Sequence, residues 1–176
     1  TAKLVPYATW MSNEDWLISL TTFISFAAYI SALTQFGNTS RTDFFNGSWM
    51  LGYIAFVIHF ISAFHYKYEW NHAKALELTA KQTFEITGLH TGIGLYFNYF
   101  FTLIWLSDLL WLKLFNQSYK NRHPWICYSI HGFMAFMWFN ATVIFGSFTG
   151  QLIGIFAFLG LVIFWIYRKK YGGLNH

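Results

Sequence analysis

Charged residues and cysteine are both scarce in this sequence. Only 10% of the 176 residues are charged, less than half of the roughly 25% found in an average soluble domain. Hydrophobic residues make up 56% of the chain, more apolar surface than a soluble domain of this size can bury. The single cysteine, Cys127, excludes an internal disulfide and a cysteine-based metal cage. These features exclude a cytosolic enzyme, a disulfide-stapled secreted domain, a disordered tail and a nucleic-acid-binding protein.

The apolar residues instead form long runs. A bilayer core about 30 Å thick is crossed by roughly 20 residues of α-helix, and the short alternating segments typical of barrel strands do not occur in the sequence. We therefore predict an all-α integral membrane protein, a single domain over residues 1–176 built as a bundle of five transmembrane helices. Their approximate bounds are 16–36, 48–66, 87–113, 124–146 and 150–167.

Glycine spacing predicts where these helices approach one another. Gly146, Gly150 and Gly154 recur every fourth residue through the last connection, and small residues at this spacing let helix backbones pack closely. The last two helices should therefore form an adjacent antiparallel hairpin. Gly88 and Gly92 have the same spacing and predict close packing at the start of the third helix.

The connection between the second and third helices has a different composition. Residues 67–86 are charged, lack glycine and proline, and are rich in Ala, Glu, Lys and Leu, which are strong helix formers. This helical extramembrane extension either continues the second helix as a stalk or breaks away as a surface helix. As the only sizeable extramembrane element, it is where we expect an external partner to bind.

The basic residues predict the orientation. With five crossings, one side holds four lysines (Lys3, Lys67, Lys74 and Lys81), and the other holds seven basic residues (Arg41, Lys113, Lys120, Arg122, Arg168, Lys169 and Lys170). Positive charge concentrates on the cytoplasmic side of membrane proteins. We therefore expect the C-terminus inside and the N-terminus outside, in a membrane that we take to be the bacterial cytoplasmic membrane.

Tryptophan is concentrated near the predicted helix ends, as it is at membrane–water interfaces. Trp138 is the exception, and we expect it to face a neighbouring helix or lipid. The other eight tryptophans are Trp10, Trp16, Trp49, Trp70, Trp105, Trp111, Trp125 and Trp165.

Two histidines lie deepest in the predicted spans. Counted from the cytoplasmic ends of their helices, His59 lies about 16 Å and His131 about 11 Å into the membrane. Two imidazoles on separate helices at nearly one level are typical of the axial ligands of a b-type haem. The alternative is that each imidazole hydrogen-bonds a neighbouring helix and only holds the bundle together.

A second set of ligand-type residues lies at the outer boundary. His65, Glu69 and His72 are spaced i, i+4 and i+7, which returns them to one helical face within about 40°. Together with His90 they predict a site for one transition-metal ion, either zinc, copper or iron. The alternative is a solvated helix face carrying ordinary charged residues.

Three further polar residues lie inside the predicted spans. Asn98 and Asn140 fall at similar depth, which predicts a hydrogen-bonded cluster between helices. Asp108 lies one turn from a helix end, within reach of Lys113 or Arg122, and we expect it to form an ion pair there. A continuous path of carboxylates, which a proton pump or ion carrier needs, is not present in the sequence.

These patterns favour a membrane redox function. We predict a histidine-lined integral membrane protein that binds haem or a metal ion as part of a membrane electron-transfer system. Its expected partners are the lipid bilayer and either other membrane subunits or further copies of itself, with no nucleic acid. The alternative is a non-catalytic accessory or scaffold subunit of a larger membrane complex.

Overall fold

Helices are the only regular elements in the part of the chain that the computed structural model describes, residues 13–35 and 43–171. In chain order they are α1 Asn13–Thr34, α2 Asp43–Tyr66, α3 His72–Thr87, α4 Ile93–Leu114, α5 Asn116–Lys120, α6 Pro124–Phe139 and α7 Phe148–Tyr171. A π-helical turn, Asn140–Ile144, continues α6 directly. The predicted all-α class is confirmed. Lys3, Trp10 and Arg41, which entered the sequence-based predictions, lie outside the described residues.

Four of the helices are long and apolar enough to cross a membrane. They cover Asp15–Thr34, Phe45–Tyr66, Ile93–Leu114 and Phe148–Lys170, with mean hydropathies from 1.3 to 2.1. The expected span 124–146 corresponds to α6, whose 16 residues are fewer than the roughly 20 that a span needs. The π-helical turn extends α6 by five residues. The structure therefore supports four candidate spans, and the fifth stays a prediction.

Helices α1 and α2 form an antiparallel pair. Near its middle the Ser25 hydroxyl donates to the carbonyl of Gly52 at 2.7 Å. At one end the Lys67 ammonium lies 3.4 Å from the Asp15 carboxylate. A side chain at Gly52 would meet the Trp105 ring of α4 within 3.0 Å, so glycine there lets α4 pack directly on this pair.

A sharp turn separates α2 from α3. Glu69 and Trp70 have φ angles of 52° and 57°, left-handed values that a continuous helix cannot contain. The Asn71 side chain then accepts a hydrogen bond from the Lys74 backbone N–H at 3.1 Å and caps the new helix. Of the two expectations for residues 67–86, the continuous stalk is wrong and the separate helix is confirmed.

The expected third span, 87–113, begins too early. Gly88 ends α3 with a left-handed φ of 75°, and Gly92 precedes the first residue of α4. A Cβ on Gly92 would lie 2.7 Å from the carbonyl oxygen of Leu76, because α3 folds back onto α4 there. Gly88 therefore ends α3, while Gly92 lets the start of α4 pack closely against α3, as the glycine spacing predicts.

The end of α6 and the start of α7 form the close hairpin that the glycine spacing predicts. A Cβ on Gly154 would lie 2.6 Å from the Thr142 hydroxyl oxygen. One turn further along, the rings of Phe139 and Phe158 are 5.8 Å apart.

Aromatic rings fill the centre of the bundle. Trp49 and Trp105 are completely buried, with ring centroids 5.0 Å apart, and the Tyr29 ring stacks on Trp138 at 6.3 Å. The expectation that Trp138 faces a neighbouring helix is confirmed. The interfacial assignment of Trp49 and Trp105 is wrong, because both side chains are completely buried and Trp105 lies near the middle of α4.

Candidate functional site

The buried carboxylate of Asp108 is the centre of a polar site inside the bundle. Its Oδ2 accepts hydrogen bonds from Trp49 Nε1 at 3.0 Å and from the Tyr119 hydroxyl at 2.8 Å. Its Oδ1 pairs with Nη1 of Arg122. The site therefore joins α2, α4, α5 and the segment before α6. We call these four residues the Asp108 cluster.

Local structure explains how four distant residues meet. Asp108 lies on the inward face of α4, between the buried side chains of Trp105 and Leu112. The short helix α5 then reverses the chain and places Tyr119 and Arg122 back over the end of α4. Of the two partners expected for Asp108, the structure selects Arg122, and the expected ion pair is confirmed.

The pair is sealed from solvent. The Asp108 side chain is 0% exposed and that of Arg122 is 2% exposed. Burial by itself would lower the pKa of Arg122, but the facing carboxylate raises that pKa above its usual value, so the guanidinium stays charged. Its Cζ lies 3.9 Å from the centroid of the Tyr119 ring, a cation–π contact, and its Nη2 donates to Cys127 Sγ at 3.1 Å.

This geometry favours a structural role for the charges. Both carboxylate oxygens of Asp108 are occupied by donors. A carboxylate with its acceptor positions filled and no access to solvent is poorly placed to accept a proton from a substrate. The cluster instead connects four segments through one acceptor residue.

His131 lies next to this cluster. It is 5% exposed, its ring centroid is 5.1 Å from that of Trp49, and its backbone carbonyl accepts a hydrogen bond from the Tyr29 hydroxyl at 3.1 Å. The structure thus confirms that His131 faces the interior.

His59 occupies a different level of the bundle. Its Nδ1 lies 2.6 Å from the Thr22 hydroxyl and 3.1 Å from the carbonyl of Ile18. His59 follows Trp49 by ten residues of α2, a rise of about 15 Å, whereas His131 packs beside Trp49. Because an imidazole–metal bond is about 2 Å long, two histidines must be close together to share one ion. The structure does not bring these two together, and the haem stays a hypothesis.

The four residues of the expected outer metal site have separate contacts. His65 Nδ1 accepts from Trp70 Nε1 at 3.2 Å, His72 Nδ1 lies 3.0 Å from the Tyr99 hydroxyl, and the His90 ring packs 6.2 Å from Phe84. Glu69 pairs with Lys74 at 2.8 Å, and the hydrogen bond and charge of that lysine lower the pKa of the glutamate.

The shared helical face assumed for residues 65–72 is wrong, because α2 ends at Tyr66. Residues 13–35 and 43–171 contain no group of three or more His, Cys, Asp or Glu side chains that could hold a metal ion. The predicted ion site therefore has no assembled ligand set in the described structure.

The asparagines also differ from expectation. The Asn140 side chain donates to the Phe136 carbonyl of its own helix at 2.8 Å, and Asn98 is exposed. The predicted hydrogen-bonded pair is not formed.

Sequence reasoning missed Trp49 and Tyr119 as members of the Asp108 cluster, and Cys127 as a contact of Arg122. A signal for them existed, since a carboxylate inside an apolar helix needs several donors. Their identity depends on how the helices are rotated, which the sequence pattern does not specify.

No protein-family model matches this chain, and comparisons with curated proteins and with solved structures find no match either.

Proposed function

We propose that the protein is an integral membrane protein of five spans, namely the four candidate spans together with α6 and its π-helical turn. We also propose that its C-terminus lies in the cytoplasm. The charge distribution supports this orientation. The end of the bundle where α4 and α7 finish carries six basic residues (Lys113, Lys120, Arg122, Arg168, Lys169 and Lys170), against Asp108 as the acidic side chain described there. Positive charge of this kind is retained on the cytoplasmic side.

Within the membrane we propose a non-catalytic role as an accessory subunit that packs against other membrane helices. The observation that carries this proposal is the outward apolar surface of α7. This helix has the highest mean hydropathy of the four candidate spans, 2.1, yet only 11% of its most apolar window is buried. In α1 the corresponding hydropathy is 1.7 and 44% of the window is buried.

The exposed face of α7 is shaped for close contact. Phe156 and Ile163 are 69% and 65% exposed, and Gly160 lies between them with open space around its Cβ position. A glycine between large side chains lets the backbone of a second membrane helix approach closely. The partner is either another subunit or a second copy of this chain.

Association in mild detergent tests this role. The full chain is extracted from its native membrane, and the mass of the protein–detergent complex is measured by light scattering. We expect a complex that contains more than one chain. Gly160→Leu should raise its apparent dissociation constant at least tenfold. Gly132→Leu, at an equally open glycine on the exposed side of α6, is the matched control and should leave association unchanged. A single-chain complex at every detergent concentration contradicts the proposal.

The second candidate is redox activity, and the environment of His59 favours it. Metal-ligating histidines use one ring nitrogen for the metal, while the other is held by a carbonyl or another polar group. The contacts of His59 Nδ1 with Ile18 and Thr22 fit this pattern and leave Nε2 as the ligand atom.

The same preparation separates the two candidates. The absorption spectrum is recorded in the oxidised and dithionite-reduced states, with metal analysis alongside. A Soret band near stoichiometry that disappears in His59→Ala or in His131→Ala supports the haem function. Bound zinc, copper or iron that is lost in His72→Ala supports the outer ion site. Colourless, metal-free protein in a larger complex supports the accessory role.

A further inference from the structure

A small open cleft lies beside the Asp108 cluster, at the basic end of the bundle. It has a volume of about 200 Å³ and lies between the start of α2, the end of α4 and the first residue of α5. Pockets that enclose a drug-sized ligand are typically about 300–1,000 Å³. The cleft is therefore large enough for a small chemical group, such as one end of a larger molecule whose remainder lies outside the cleft.

The polar lining of the cleft offers binding groups that the fold does not use. Oδ1 of Asn46 is buried and has no hydrogen-bond partner among the described residues. Lys113 is exposed and makes no ion pair with any other described residue. Asn116 is the third polar residue in the lining. A ligand that fits carries negative charge for the ammonium and a hydroxyl donor for the buried amide oxygen, because a buried acceptor without a donor is costly.

The other lining is apolar. Met50, Leu109 and Leu112 form this wall, and they belong to the apolar lengths of α2 and α4 that continue away from the basic end. A polar recess directly above an apolar wall is the arrangement met by a phospholipid, whose headgroup lies at the interface and whose acyl chains run along the helices.

From this juxtaposition we infer that the cleft binds one anionic phospholipid with a hydroxyl-bearing headgroup, of the phosphatidylglycerol class. The phosphate lies against Lys113, and rotation of the half-buried Asn46 amide turns its Oδ1 towards the cleft, where it accepts from a headgroup hydroxyl. Basic pockets between membrane helices on the cytoplasmic side are a known type of anionic-lipid site. This inference rests on the proposed insertion and orientation, but not on the accessory role, so a failed association test leaves it intact.

Lipid binding to the purified full chain in mild detergent tests the site. Native mass spectrometry measures binding of phosphatidylglycerol, with phosphatidylcholine as the neutral comparison and soluble glycerol phosphate as the comparison without acyl chains. We expect one phosphatidylglycerol to bind in preference to phosphatidylcholine. Lys113→Gln should weaken this binding about fivefold, whereas Lys120→Gln, a basic residue at the same end but outside the lining, should change it less than twofold.

A steric variant tests the cleft independently of charge. Gly47 also lines the cleft, and a Cβ at this position meets no atom within 4 Å. We therefore expect Gly47→Leu to fill the cleft and to abolish the preferential binding. Gly132→Leu is the control on another helix and should retain it. Thermal unfolding of each variant confirms that it is folded.

Three results would overturn the inference. The first is equal binding of the two lipids, and the second is an equal effect of Lys113→Gln and Lys120→Gln, which would indicate only general surface attraction. The third is glycerol phosphate binding as tightly as the lipid, which would assign the cleft to a soluble phosphate ester.

Discussion

Breaking the ion pair between Asp108 and Arg122 is the sharpest test of the described architecture. The variants are Asp108→Asn, Arg122→Met and the double substitution. Asparagine keeps the shape of the carboxylate and retains an acceptor oxygen for Trp49 and Tyr119, so it isolates the loss of charge. Arg122→Met removes the cation but leaves the carboxylate with its two other donors.

The burial of the pair sets the expected magnitude. Because the two side chains are 0% and 2% exposed, neither charge can recover solvation after its partner is removed. Loss of one partner of a buried pair costs about 3–5 kcal/mol. The double variant leaves a neutral amide that still accepts from Trp49 and Tyr119, and replacing both charges is near neutral. We therefore expect about 1–2 kcal/mol for the double variant, against roughly 6–10 kcal/mol for the sum of the single variants.

The assay is reversible unfolding in mixed micelles, followed by circular dichroism during titration with sodium dodecyl sulfate. Lys120→Met, an exposed residue of the same segment, is the control and should change the free energy of unfolding by less than about 0.5 kcal/mol. The reasoning would be refuted if the double variant lost as much free energy of unfolding as the two single variants together. It would also be refuted if each single variant cost less than about 1 kcal/mol. Both results require that the two charges are solvated or far from each other.

Two further predictions concern the hairpin and the turn after α2. Gly154→Ala should destabilise the protein by about 1–3 kcal/mol, because the added Cβ would lie 2.6 Å from the Thr142 hydroxyl oxygen. Gly160→Ala, in open space, should instead stabilise the helix by about 0.5–1 kcal/mol. The same micelle titration measures both variants, and equal effects would contradict the close contact at Gly154. The Glu69 carboxyl should titrate below its usual pKa of 4.5, because Lys74 stabilises the charged form. The stability contributed by this ion pair is therefore present above pH 4.5 and is lost as the pH falls through the lowered pKa. The NMR chemical shift of the carboxyl carbon reports the titration midpoint, which should return to the usual value in Lys74→Gln, and a wild-type midpoint at or above 4.5 would contradict the contact.

Much of the secondary structure could be predicted from the sequence. Helix ends at Tyr66 and Thr87 fall within one residue of the predicted boundaries, because a change from apolar to charged composition and a glycine are local signals. The turn at Glu69 and Trp70 could not be predicted, since residues 67–86 contain neither glycine nor proline. Packing of α3 back onto α4 favours the left-handed conformation there.

The candidate sites were harder to predict. Asp108 was expected to pair at a helix end, but the choice between Lys113 and Arg122 depends on the path of α5. His59 and His131 were placed at similar depths by counting from the ends of their helices. The described α2 begins five residues before the predicted span, so the depth counted for His59 was too small. The contact between the His131 and Trp49 rings places His131 at the level of Trp49, well away from that of His59.

Composition and the length of the apolar runs alone predict that much of the outer surface is apolar. The total apolar area of a chain is a sum over its residues and does not depend on how the helices are arranged. The polar contacts are of another kind. Each residue turns a helix by about 100°, so a shift of one position moves a side chain from the interior to the outer face. Only the packed bundle therefore determines that Asp108 meets Trp49, Tyr119 and Arg122, and that Asn46 and Lys113 open onto one cleft.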